Sequence, residues 1–168
     1  MTGRQPPAVS FWRRRVVVPL TTQLTQGATP DRLAFTVAVG ATAAIFPLLG
    51  ATTAVTLVAG LSMRLNQVVL HTINQLLAPV QLALILVYVR AGEWVWRTPA
   101  DHFSVADIVR TFHQSGLGDF IRRFGWAGVH AVSAWALSAP LVVGVIYFLA
   151  RPPIARLAIA TRSLASVQ

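Results

Sequence analysis

The sequence predicts an all-α, polytopic helical membrane protein: a broken or re-entrant hydrophobic hairpin, then two transmembrane helices with interfacial amphipathic helices between them. Three observations carry this. The chain has 168 residues, 55% hydrophobic and 11% charged, against about 25% charged in ordinary soluble domains. The charges leave three long uncharged blocks: 31 residues from Leu33 to Met63, 25 from Leu65 to Val89 and 27 from Phe124 to Ala150. All 14 basic residues are arginine, and they cluster at the ends of these blocks, as at a surface of anionic lipid. That placement disfavours nucleic acid as the partner of a chain with net charge +9, and makes the lipid bilayer the expected one.

Residues 1–28 read as a basic interfacial segment. Trp12, Val16, Leu20 and Leu24 recur every four residues, beside Arg13, Arg14 and Arg15, which face headgroups in this reading; Pro19 interrupts the helix. The apolar run after the arginines is too short for a signal sequence and lacks a small-residue cleavage site, so the segment is expected to stay in the mature protein.

Residues 29–94 form a membrane domain. Thr29 as N-cap, Pro30 at the first helical position and Asp31 in the first turn specify a helix start. The block from 33 to 63 is too long for one straight span, since 31 helical residues extend about 46 Å across roughly 30 Å of hydrocarbon. Pro47 lacks an N–H and pushes against the carbonyl of Ala43, while Gly50 permits positive φ. The break yields two halves of about 20 Å each. A re-entrant pair of half-helices is the preferred reading, and one kinked, tilted span is the alternative. Backbone groups freed at the break need protein or water around them, and Thr42, Thr52 and Thr53 stand next to it. The segment 65–89 is a transmembrane helix, followed by Trp94 and Trp96.

Residues 95–123 are an amphipathic interfacial loop. Val105, Ile108, Val109 and Phe112 form one apolar face, and Leu117, Phe120, Ile121 and Phe124 form another after Gly116. Arg110, Arg122 and Arg123 lie opposite, facing headgroups or leaving the apolar face to pack on the protein itself. A second transmembrane helix spans 124–150, opened by Trp126, and 151–168 is a basic tail, interfacial or disordered. Arginine counting leaves both topologies open: nine against five for the re-entrant form, ten against four for the spanning one. Either places the N-terminus in the cytoplasm by the positive-inside rule, with the protein multi-pass.

The residues best suited to a site lie on the helix after Arg64. Gln67, His71, Asn74, Ala78 and Gln81 share one face at helical spacing, with Gln75 beside it. Such a stripe faces a polar path, or else hydrogen-bonds neighbouring helices. His71 and His130 differ in depth by about 22 Å if their helices are antiparallel, so they cannot share an ion. No nucleophile–base–acid set, phosphate loop or metal-ligand spacing is visible, and there is no cysteine. The expectation is no enzyme, no cofactor and no metal. Small residues line two helix surfaces that neighbours can approach closely, Ala34, Ala38 and Thr42 on one, and Ala127, Ala131 and Ala134 with Ser133 and Ser138 on the other.

Thr29-Pro-Asp-Arg-Leu-Ala, Gly40, Pro47-Leu-Leu-Gly50, Arg64-Leu-Asn66, Asn74 and Arg90-Ala-Gly92 together resemble domain-of-unknown-function family 2062, small integral membrane proteins of bacteria. The ordered resemblance covers about Gly27 to Trp94. One departure is that Asn74 is followed by Gln75, where the family often has Asn-Pro, and the proline comes at Pro79. The resemblance implies an inner-membrane location and no established activity. The functional expectation is transport or translocation of a small or lipid-like substrate; the alternative is a non-transporting scaffold or accessory subunit in envelope processes. Since two spans cannot enclose a re-entrant pair, a homo-oligomer or a membrane partner is expected.

Overall fold

The computed structural model describes residues 29–98, 105–114 and 117–165, all helix and connecting turns: α1 (Pro30–Ala44), α2 (Thr52–Ser62), α3 (Gln67–Trp96), α4 (Val105–Gln114) and α5 (Leu117–Ala165). The N-terminal segment with Arg13, Arg14 and Arg15 lies outside the described residues.

α1 starts as its sequence dictates. Thr29 is extended, and its hydroxyl accepts from the Arg32 N–H at 3.3 Å. The helix stops because Pro47 has no N–H for the Ala43 carbonyl, which instead takes the Phe46 N–H at 3.2 Å. Leu48 to Ala51 then form a turn closed by Ala51 N–H to Leu48 O, with Gly50 at φ 81°, a backbone that an L side chain resists. α2 ends in a Schellman motif: Leu65 N–H reaches Gly60 O at 2.8 Å and Arg64 N–H reaches Leu61 O. The left-handed position between them is Arg64, at φ 52°, where glycine is usual. Asn66 caps α3 by accepting from Val69 N–H at 3.0 Å.

α1 lies at the centre, packed on both α3 and α5. Its small residues make this possible, with Ala34, Ala38 and Ala44 fully buried, and Ala127, Ala131 and Ala134 of α5 buried as well. Leu33 and Ala34 share a cluster with Val69 near the start of α3 and Ile154 near the end of α5. α1 thus runs alongside α3 and antiparallel to α5. α2 folds back along α1: Arg32, in the first turn of α1, donates to the carbonyl of Arg64 just beyond α2, at 2.8 Å. The two ends of the uncharged 33–63 block therefore meet. Towards the other end of the molecule α3 and α5 touch at Gly92, where a Cβ would overlap the His130 carbonyl.

Two helices are long and apolar enough to cross a membrane, Gln67–Trp96 and Gly125–Ala160. Many of their large apolar side chains face outward, among them Leu137, Leu141, Phe148 and Leu149. Two expectations about α5 are corrected. Residues 117–124 are not a separate amphipathic helix but the first turns of α5. The tail is not disordered up to Ala165, because helix continues through Arg151-Pro152-Pro153. Two prolines remove two helical hydrogen bonds, but just beyond them Ile154 and Ala158 are buried, and Arg151 pairs with Asp31. Tertiary packing thereby overrides a local helix breaker.

Candidate functional site

The polar stripe of α3 divides into two parts with different partners. Gln81, 7% exposed, reaches the helix break: its amide nitrogen donates to Phe46 O at 2.9 Å and lies 3.5 Å from Leu48 O. From the other side, Trp135 of α5 donates its indole N–H to Thr42 O at 3.0 Å and meets the Phe46 ring edge-on, centroids 4.9 Å apart. Thr42 O and Phe46 O, left open where the helix breaks at the buried Pro47, thus find donors from both neighbouring helices. The threonines expected to do this do not. Thr42 bonds back to Ala38 O within α1 at 2.9 Å, the local habit of a helical threonine. Trp135 went unremarked in the sequence; the available signal was an indole N–H in the middle of an apolar run, which needs an acceptor when buried.

The lower part of the stripe meets α2. Gln67 lies against Gly60, where a Cβ would stand 2.8 Å from the Gln67 amide carbon. Its amide nitrogen is 3.5 Å from Leu57 O, while its buried oxygen has no partner among the described residues. Thr56, fully buried on α2, has an unpartnered hydroxyl as well. Asn74 is buried at 7% exposure, His71 is half-buried and Gln75 is exposed. Gly60 and Thr56, which complete this seam, were not singled out in the sequence, because nothing local marks the face of a short apolar helix that will meet glutamine.

The histidines lie apart. His130 stacks on Trp96, centroids 5.9 Å apart, and touches Gly92, roughly 30 Å along α3 from His71. Ser133, expected only as a small packing residue, also accepts from the Trp96 indole at 2.8 Å. Among the described residues no group of three metal-ligating side chains converges. Arg64 and Arg122 are exposed; the side chain of Arg123 lies outside the described ones. At the base, the guanidinium of Arg151, donating to the Asp31 carboxylate with help from the Tyr147 hydroxyl, holds that carboxyl below its ordinary range. Beside the tip of the hairpin an apolar groove of about 450 Å³ runs between Leu48 and the α5 residues Gly125, Gly128 and Val132; it offers no chemistry comparable to the seam.

A family model for an uncharacterized protein conserved in bacteria (DUF2062) matches residues 15–162. The chain belongs to that family. The match takes in α1 to α4 and most of α5, so DUF2062 extends well past the stretch of resemblance ending at Trp94, and Trp135 falls inside it. No curated protein and no solved structure matches the chain. The DUF2062 break at Pro47 and Gly50 is thus a closed joint, sealed by Gln81 and Trp135, with a buried polar seam below it between α2 and α3.

Proposed function

We propose that this DUF2062 protein is a multi-pass protein of the bacterial inner membrane in which α3 and α5 cross the bilayer and the α1–α2 hairpin is re-entrant. Arg32, Arg64 and Arg151 mark one face and Arg90 and Arg97 the other. The hairpin enters and leaves by the first, which is cytoplasmic by nine arginines to five. Its tip climbs about 21 Å along α3, from Gln67 to Gln81.

Its function, in this reading, is the transport or translocation of a small or lipid-like substrate along the α2–α3 seam. The observation that carries it is the pair of orphaned oxygens there, Thr56 Oγ1 and Gln67 Oε1. Buried polar atoms are otherwise paired, and a lone one in hydrocarbon costs several kcal/mol by order of magnitude. A second reading, a non-transporting scaffold or accessory subunit, draws on Gln81, whose amide is occupied in holding the break. In either reading the exposed apolar face of α2, with Val58 and Leu61, suits a second copy or a membrane partner.

The test uses the absence of cysteine. Single cysteines at the exposed positions Thr29, Met63 and Thr98 are labelled with an impermeant maleimide in intact cells and opened membranes. Thr29→Cys and Met63→Cys should react from one side and Thr98→Cys from the other; Met63→Cys reacting with Thr98→Cys removes the re-entrant hairpin. In proteoliposomes Gln67→Leu and Asn74→Leu should lower flux while assembly persists. Loss of assembly in step with flux favours the scaffold.

A further inference from the structure

The start of α2 is short of partners. Its N-cap, Ala51, supplies no side-chain acceptor. The first bonded N–H is that of Val55, to Ala51 O at 3.0 Å, so the N–H groups of Thr52, Thr53 and Ala54 point out of the helix end with no acceptor among the described residues. In water such a helix start is solvated.

Its depth is what sets this start apart. Gly60 touches Gln67, and α2 and α3 run in opposite directions from the turn between them. Thr52 stands two turns, about 12 Å, above Gly60 along α2, and Asn74 stands about 10 Å above Gln67 along α3. The two are therefore level, well inside roughly 30 Å of hydrocarbon. Asn74 shares the face of Gln67 at i+7, the face that meets α2. Asn74, 7% exposed, and Thr52, 8% exposed, make no side-chain hydrogen bond among the described residues. Thr56 adds its orphaned hydroxyl one turn further along α2.

We infer that the start of α2, with Thr52 and Asn74 beside it, binds a singly charged anion within the bilayer, either a free ion or the phosphodiester of a lipid headgroup. Every group at the site can donate, and the helix end carries about half a positive charge; broken helices in membranes commonly direct such ends at anions. A cation finds little here, since Phe46 O and Leu48 O, the carbonyls exposed by the break, already accept from Gln81 and Ala51. A doubly charged anion finds no arginine, because the blocks from Leu33 to Met63 and Leu65 to Val89 are uncharged. The inference rests on the substrate-handling reading above and names the class of substrate.

The test takes the purified full chain and follows its thermal midpoint by tryptophan fluorescence at constant ionic strength. Gluconate is replaced stepwise by bromide, and separately by dimethyl phosphate. A saturable rise with either is expected, lost in Thr52→Val and in Asn74→Leu, kept in Thr52→Ser and in the exposed neighbour Gln75→Leu. No saturable rise with either probe, or an equal rise in Thr52→Val and Asn74→Leu, overturns the site. A response to bromide as well as to dimethyl phosphate identifies a free ion, and a response to dimethyl phosphate alone a lipid headgroup. Proteoliposomes then separate the two levels of the argument: bromide influx and scrambling of a fluorescent phosphatidylglycerol are measured on the same variants. Binding without either flux leaves the anion site standing and removes the transport reading. Flux lowered in Gln67→Leu but unchanged in Thr52→Val removes the anion site and leaves transport.

Discussion

Replacing Gln81 by leucine isolates the joint that holds the hairpin. Leucine keeps the apolar bulk of the side chain but donates nothing. Leu48 O retains the Ala51 N–H at 3.3 Å, so the loss falls on Phe46 O, whose one hydrogen bond among the described residues comes from Gln81 at 2.9 Å. Losing a buried bond costs about 0.5–1.5 kcal/mol net, and stranding a buried carbonyl raises the cost to about 1–3 kcal/mol. Hydrogen bonds between membrane helices measure about 0.6–2 kcal/mol. Taken together these place Gln81→Leu about 2 kcal/mol below the parent, roughly a 30-fold shift in the folding equilibrium. Equilibrium unfolding in mixed detergent–SDS micelles reads this directly. The exposed Gln75→Leu serves as control and should stay within about 0.5 kcal/mol of the parent. A cysteine at the half-buried Leu48 should label faster in the Gln81→Leu background as the tip loosens. If Gln81→Leu unfolds with Gln75→Leu and the parent, the amide does not hold the break, and Gln81 returns to the polar path as a free residue.

Gly92→Ala tests the crossing of α3 and α5, because its methyl would overlap the backbone carbonyl of His130 and cannot be relieved by a side-chain rotation; a loss of about 1–3 kcal/mol is expected. Gly60→Ala, whose neighbours are the flexible ends of Gln67 and Leu70, should cost less in the same titration, and the reverse order would refute the close crossing. Asp31, held by Arg151 and Tyr147, has a folded pKa below its ordinary value of 3.8. Its contribution to stability is complete above that value and is lost as pH falls through the lower folded pKa. The stability gap between the parent and Asp31→Asn should therefore close in that acid window, and a gap independent of pH would exclude the ion pair as its source.

The sequence by itself determined the features that depend on a turn or two of chain. Thr29-Pro30-Asp31 starts α1 through a cap and a fixed φ. Pro47 ends it by withholding one N–H, and Gly50 permits the positive φ of the turn. The uncharged runs specify which helices are long and apolar enough to cross a membrane, and the alanines of α1 and α5 specify surfaces that can approach closely. The polar stripe was legible as a face of α3, but its division was not. Only the tertiary structure decided that the 33–63 block folds back on itself, since the Arg32 contact with the Arg64 carbonyl joins residues that no local pattern links. It likewise assigned Gln81 and Trp135 to the break, carried α5 through Pro152 and Pro153, and left Thr56 Oγ1 and Gln67 Oε1 without partners among the described residues. The reason is physical. A missing N–H announces that a carbonyl must be satisfied, but the donor arrives from whichever helix packing brings alongside, and that choice belongs to the assembled fold.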